Sequence, residues 1–214
     1  MTGASGAGHG RTDPGTRHPL QCSVVIPAYN EARRLPRYLD EVVSYLVTRG
    51  EPWEVVVVDD GSTDATPAIL DEYVRKLPYL KVVRLADRGR RSVGPGVVEA
   101  FYAGLDTINL DDFPFLCKLD LDLDLPPRYF EILLGLMKAN PRLGTVSGKP
   151  WFVDPQCGAL VPEGSGDEMS VGMTKFYRVT CFKEIGGFVH QVMWDGIDCH
   201  RARMLGWIAK SARR

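Results

Sequence analysis

The chain has 214 residues, enough for one large domain or two small lobes around a real core. A formal net charge of −1 argues against a nucleic-acid binder, and no apolar run approaches the roughly 20 residues of a bilayer span. With 44% hydrophobic and 25% charged residues, the balance is that of an ordinary globular protein.

Residues 1–20, MTGASGAGHGRTDPGTRHPL, lack an apolar core and read as a flexible tail rather than a secretory signal. A β-branched run, CSVVIPAYN, opens a buried strand from Cys22 and ends in turn residues. Leu35, Leu39, Val42, Val43 and Leu46 follow at helical spacing, with Gly50 as the stop. EVVVVDDGSTD is a second buried strand, and Asp64 is placed to cap the helix carrying Ile69, Leu70, Tyr73 and Leu77. LKVVRL is a third strand and GVVEAFYAGLDTI a third helix. FPFLCKLDLDLDL is a fourth strand, after which Pro127 opens a helix through Met137. LGTVSGK is a fifth strand. This alternation predicts a mostly parallel α/β sheet with right-handed crossovers over residues 21–150. Residues 151–214 are set apart as a second, smaller portion. Within it, the polar loop 163–172 precedes a helix and suits either an acceptor-side flap or a plain connection.

Open α/β sheets bind ligands beyond the carboxyl ends of their strands. PAYNE follows the first strand, DDGSTD follows the second, and an acidic series closes the fourth, so all three clusters fall on one edge. In an extended strand Asp120, Asp122 and Asp124 share a face, where their charges repel unless a cation sits among them. No Cys or His stands close by, which suits a hard ion such as Mg²⁺ or Mn²⁺. Such ions are commonly completed by phosphate oxygens, so the edge suits a nucleoside diphosphate. Neither GxGxxG after the first strand nor GxxxxGK[ST] is present, which removes dinucleotide and P-loop readings. Five cysteines, at 22, 117, 157, 181 and 199, are odd in number and widely spaced, with no CxxC pair. They predict reduced thiols in a cytoplasmic protein and no zinc site.

Four ordered motifs, VVIPAYNEARRL, VVVDDGSTDAT, KLDLDLDLPPRYFE and MTKFYRVTCFKEIGGF…WDGIDCHRARMLGW, resemble those of family 2 glycosyltransferases, from about residue 22 to the end. The resemblance implies a GT-A fold and an inverting, metal-dependent transfer of sugar from a nucleoside-diphosphate sugar to an acceptor hydroxyl. It implies that Pro27, Tyr29 and Glu31 line the nucleotide pocket and that Asp59 and Asp60 meet base and ribose, in either order. Asp120 and Asp122 match the Asp-x-Asp element, with Asp122 the preferred metal ligand. Asp124 is an extra acid. Arg88 and Arg91 suit the diphosphate, or stand as solvated loop arginines. Inversion needs a base on the far face of the sugar. Counting back from Gly206-Trp207 aligns Asp195 with that acid, and Asp198 is the other candidate. Either also serves as a helix cap. His190 and His200 read as structural, and Trp194 as core or as a stacking surface for sugar.

Expected partners are a UDP- or GDP-sugar and an acceptor glycan or lipid-linked sugar, with peripheral membrane association and self-association as further expectations. The sequence stops soon after the candidate base, whereas the family usually continues, so a shortened form that binds donor but transfers poorly is also expected. The competing readings are a nucleotidyltransferase, which would show a Gly-rich basic loop where PAYNEARRL stands, and a non-catalytic nucleotide-sugar-binding module.

Overall fold

A computed structural model describes residues 22–50, 52–87, 95–120, 123–164 and 166–212. In chain order the elements are β1 (Cys22–Ala28), α1 (Leu35–Arg49), β2 (Trp53–Asp59), α2 (Thr66–Lys76), β3 (Leu80–Arg84), α3 (Pro95–Leu105) and β4 (Phe115–Leu119). Then come α4 (Tyr129–Ala139), β5 (Leu143–Gly148), β6 (Trp151–Val153), β7 (Leu160–Pro162), β8 (Thr174–Arg178), α5 (Val179–Glu184), α6 (Trp194–Met204) and β9 (Ile208–Ala212).

β1, β2 and β3 form a parallel sheet with β2 in the centre. Val55, Val56, Val57 and Val58 are fully buried, as expected of a strand covered on both faces. On one side Leu35, Leu39 and Leu46 of α1 and Leu70 of α2 join Ile26, Val55, Val57 and Leu80 in a single core cluster. On the other side α3 lies against β1 so closely that a Cβ on Gly104 would collide with Val25.

A second sheet has the order β4-β8-β5-β9. β8 is antiparallel to β4 and β5, and β5 is parallel to β9, so β4, β5 and β9 share one direction. No ladder joins β1 to β4 among the described residues. The two strands instead wall a cleft of about 210 Å³, lined by Ser23, Val25, Pro27, Phe101, Lys118 and Asp120 among others. The buried hydroxyl of Ser23 has no hydrogen-bond partner among the described residues.

Four local expectations are corrected. The fourth strand was expected through Leu125 but stops at Leu119, so Asp120 lies past its end and Asp124 is exposed in an irregular segment. A strand carrying three carboxylates on one face would hold each within about 7 Å of the next, a repulsion that leaving the strand relieves. Loop 163–172 leads into the strand β8, not a helix. Helix α2 has Ala65 at its cap position, and Asp64 reaches the first turn from outside, its Oδ1 accepting from Thr66 N at 2.9 Å. Pro127 precedes α4 rather than opening it, because Arg128 takes a left-handed conformation (φ 63°) in between.

Candidate active site

The loops leaving β1 and β2 are laced together. Asn30 sits at φ 55°, a region that Asn tolerates better than most side chains. Its N–H donates to Ser62 Oγ at 2.9 Å, and its Oδ1 accepts from Thr63 N at 2.8 Å and Asp64 N at 3.3 Å. Glu31 N donates to Thr66 Oγ1, and Ala32 N to Asp64 Oδ2. Hydrogen bonding, led by the one from Thr66, holds the Asp64 carboxyl below its ordinary range. Gly61, at φ 80°, passes beneath Asp87, where any side chain would strike the backbone.

Asp59 ends β2 almost fully buried, its Oδ1 accepting from Ser62 N at 3.0 Å. Asp60 follows, its N–H donating to Ala28 O at 2.8 Å, which fastens the second acidic residue to the end of β1. Pro27 and Tyr29 are exposed beside this pair. The Glu31 carboxylate is engaged by Arg34 in a two-point contact of 2.5 and 2.7 Å. Arg88, Arg91 and Asp122 lie outside the described residues.

Asp120 faces the cleft between β1 and β4, across from Pro27. Its N–H donates to Met173 O at 2.8 Å, and its carboxylate pairs with Lys118 while staying 39% exposed. Among the described residues no three His, Cys, Asp or Glu side chains gather into a metal-holding group. A partly exposed carboxylate at a strand end still fits a hard divalent ion completed by phosphate oxygens.

Asp195 and Asp198 occupy different surroundings. Asp195 lies in the first turn of α6, half-buried, and a Cβ on Gly172 would come 2.5 Å from its Oδ2. Asp198 is 1% exposed. Its oxygens accept from Lys175 Nζ at 2.8 and 2.6 Å, from the Tyr177 hydroxyl and from Cys199 N at 2.7 Å. Lys175 Nζ also donates to Asp195 O at 2.5 Å, so the buried pair anchors the turn that presents Asp195. Burial and the adjoining Asp198 push the Tyr177 phenol well above its ordinary range.

His190 stacks on Tyr102 with ring centroids 5.2 Å apart, and His200 is exposed. Trp194 is buried against Phe188, with Lys118 Nζ 5.4 Å from its ring centre. Sequence reasoning passed over Asn30, Lys118, Lys175 and Tyr177. Lys118 carried a signal, a lone cation inside the apolar run before the acids. Lys175 carried none, because its partner lies 23 positions on.

The loops after β1 and β2 thus collect at the carboxyl edge of the parallel three-stranded sheet, and Asp120 stands at the end of β4 in the second sheet. Solved structures share the fold. The chain aligns with the Pyrobaculum calidifontis mannosyltransferase PcManGT, solved in complex with GDP-Man and Mn²⁺, at a TM-score of 0.58 and 22% identity, over 92% of this chain and 56% of that one. It aligns with S. aureus TarS (residues 1–349) in complex with UDP at a TM-score of 0.55 and 22% identity, over 91% of this chain and 58% of that one. The fold is the α/β GT-A type of glycosyltransferases. The model of glycosyl transferase family 2 matches residues 23–154, and the chain belongs to that family. Human dolichyl-phosphate beta-glucosyltransferase is 48% identical over 120 residues, 50% of this chain and 37% of that protein. The undecaprenyl-phosphate 4-deoxy-4-formamido-L-arabinose transferase of Pseudomonas fluorescens is 31% identical over 135 residues, 61% of this chain and 37% of that protein. The chain therefore spans little more than a third of these relatives' length.

Proposed function

We propose that this chain carries the donor site and catalytic base of an inverting glycosyltransferase that moves a sugar from a UDP- or GDP-sugar to an acceptor hydroxyl. One linkage carries the reading. Asp120 is bonded through its N–H to Met173, its partner Lys118 donates to Gly172 O at 3.1 Å, and Gly172 packs against Asp195. The donor-side acid and the candidate base are thereby held on one short segment.

Asp59 and Asp60 accept hydrogen bonds from base and ribose, and Pro27 and Tyr29 line that pocket. Glu31 supports it through Arg34, and Arg88 and Arg91 are assigned to the diphosphate by residue type. Asp120 and Asp122 would hold a Mg²⁺ or Mn²⁺ ion, which would supply Lewis-acid stabilisation of the leaving diphosphate. Asp195 removes the acceptor proton as the acceptor oxygen bonds to the anomeric carbon and that carbon's bond to the diphosphate breaks. Asp198, ion-paired in the interior, serves by fixing the turn. Residues 21–150 act as the donor lobe and 151–214 as the acceptor side. Among the described residues no helix is long and apolar enough to cross a membrane. We assign the chain to the cytoplasmic side, with peripheral membrane association.

A second reading concerns the acceptor. The relatives are named for polyprenyl phosphates, which favours a lipid phosphate here too. A phosphate monoester has its second pKa near about 6 and attacks without a base. Donor turnover with UDP- and GDP-sugars and Mn²⁺ is the test, measured with glycan and polyprenyl-phosphate acceptors and with Asp195→Asn. A hydroxyl acceptor makes that variant inactive, while a phosphate acceptor leaves it active. Binding without turnover favours the non-catalytic module, and pyrophosphate release from a nucleoside triphosphate and a sugar phosphate favours the nucleotidyltransferase.

A further inference from the structure

Lys118 and Lys175 stand directly opposite each other on the antiparallel strands β4 and β8. Like charges so placed destabilise a sheet unless each is neutralised. Both ammonium groups also lie over the same ring, 5.4 and 5.9 Å from the centre of Trp194. Lys175 is neutralised permanently by fully buried Asp198. Lys118 is only 10% exposed, and its carboxylate partner is Asp120, the acid assigned to the donor's cation. Among the described residues its other contacts, Gly172 O and the face of Trp194, carry no full charge.

We infer that Lys118 is the resident counter-cation of Asp120, and that it makes the site select a cation already bound to a diphosphate over the free ion. The inference rests on the donor-site reading above. A free divalent ion approaching Asp120 must displace or face an ammonium that has little water to retreat into. The meeting of two cations weakens binding. A diphosphate arriving with the ion brings enough negative charge to neutralise both, and the released ammonium then pairs with a phosphate oxygen. Lys118 thereby ties cation entry to nucleotide entry, and its bond to Gly172 O carries that event to the segment beside Asp195.

The test is calorimetry of the whole chain with MnCl₂ alone, and with UDP or GDP in the presence of MnCl₂, for wild type, Lys118→Met, Lys118→Arg and Asp120→Asn. Lys118→Met is expected to bind Mn²⁺ alone about tenfold more tightly, the scale of one pKa unit of charge interaction. Its advantage for Mn²⁺ with nucleotide over Mn²⁺ alone should shrink by at least that factor. Lys118→Arg should behave as wild type. Circular dichroism checks folding, and Lys118→Gln replaces Lys118→Met should the latter not fold. Mn²⁺ affinity in the neutral variant equal to or below that of wild type overturns the inference. If Asp120→Asn loses binding in that same experiment, the donor site stands and only the role of Lys118 falls. If Asp120→Asn binds Mn²⁺ and nucleotide as wild type does, the donor-site reading falls too.

Discussion

Lys175 on β8 and Asp198 on α6 form an ion pair of 2.6 Å with the two side chains 0% and 1% exposed. Removing one partner leaves a charge in the interior with no water to solvate it, a loss of about 3–5 kcal/mol. Lys175→Met and Asp198→Ala should each lower stability by that amount in urea unfolding. Lys175→Met combined with Asp198→Ala should cost less than the two single changes added together. Full stability in Asp198→Ala would show that the buried pair does not anchor the fold.

Asp195→Asn is expected to keep the fold and the affinity for donor, and to slow transfer to a hydroxyl by at least about 100-fold, the usual scale for a lost general base. Its carboxylate takes no part in the Lys175 pair, which engages only its backbone oxygen. Single-turnover transfer alongside donor titration separates the two effects. A severe loss in folded Asp198→Asn with a mild one in Asp195→Asn would move the base three residues along.

Asp122→Ala should abolish metal-dependent nucleotide binding with little change in melting temperature. Asp120→Ala should also weaken binding but disturb the fold slightly, since it leaves Lys118 without its carboxylate. Titration of UDP and GDP with and without Mn²⁺ measures the first effect, and thermal melting the second.

Thiol chemistry gives a test of the fold. Burial pushes the thiols of Cys117 and Cys181 up to about 12. At pH 8 only roughly one in ten thousand of each is then thiolate, the reactive form. Cys199 is buried and Cys157 exposed. Alkylation of the native chain should show a fast phase that Cys157→Ser removes, while Cys117 and Cys181 stay slow until the pH approaches 12 or the chain unfolds.

Much of the first half was legible because its signals are local. The β-branched runs of β1 and β2, the leucine spacing of α1 and the turn residues after each strand predict elements that the structure contains. The second half resisted for two reasons. β8 carries Lys175 where a buried strand should be apolar, and a lysine is silenced only by a partner that the local sequence does not display. The hairpin of β6 and β7 was missed although its turn carries a mark. Asp154 Oδ1 accepts from Gln156 N at 2.7 Å, and Gly158 takes φ 70°. The acidic series was read as a strand because alternation with leucine mimics one. Only the pairing with β8, whose last rung is Leu119 opposite Thr174, reveals where the strand stops.

The unzipped boundary between β1 and β4 also leaves a kinetic mark. In a parallel ladder, alternate amides of a strand point to its two neighbours. Those of β1 that point to β2 are locked, and those that point to the cleft lack a ladder acceptor among the described residues. Deuterium should therefore enter β1 with a two-residue rhythm, fast and slow along a single strand in the middle of the molecule. The same rhythm should be absent from β2, which is paired on both sides. If a donor drew the cleft walls together, the fast set would slow first, which makes β1 an internal gauge of how tightly the two sheets are held.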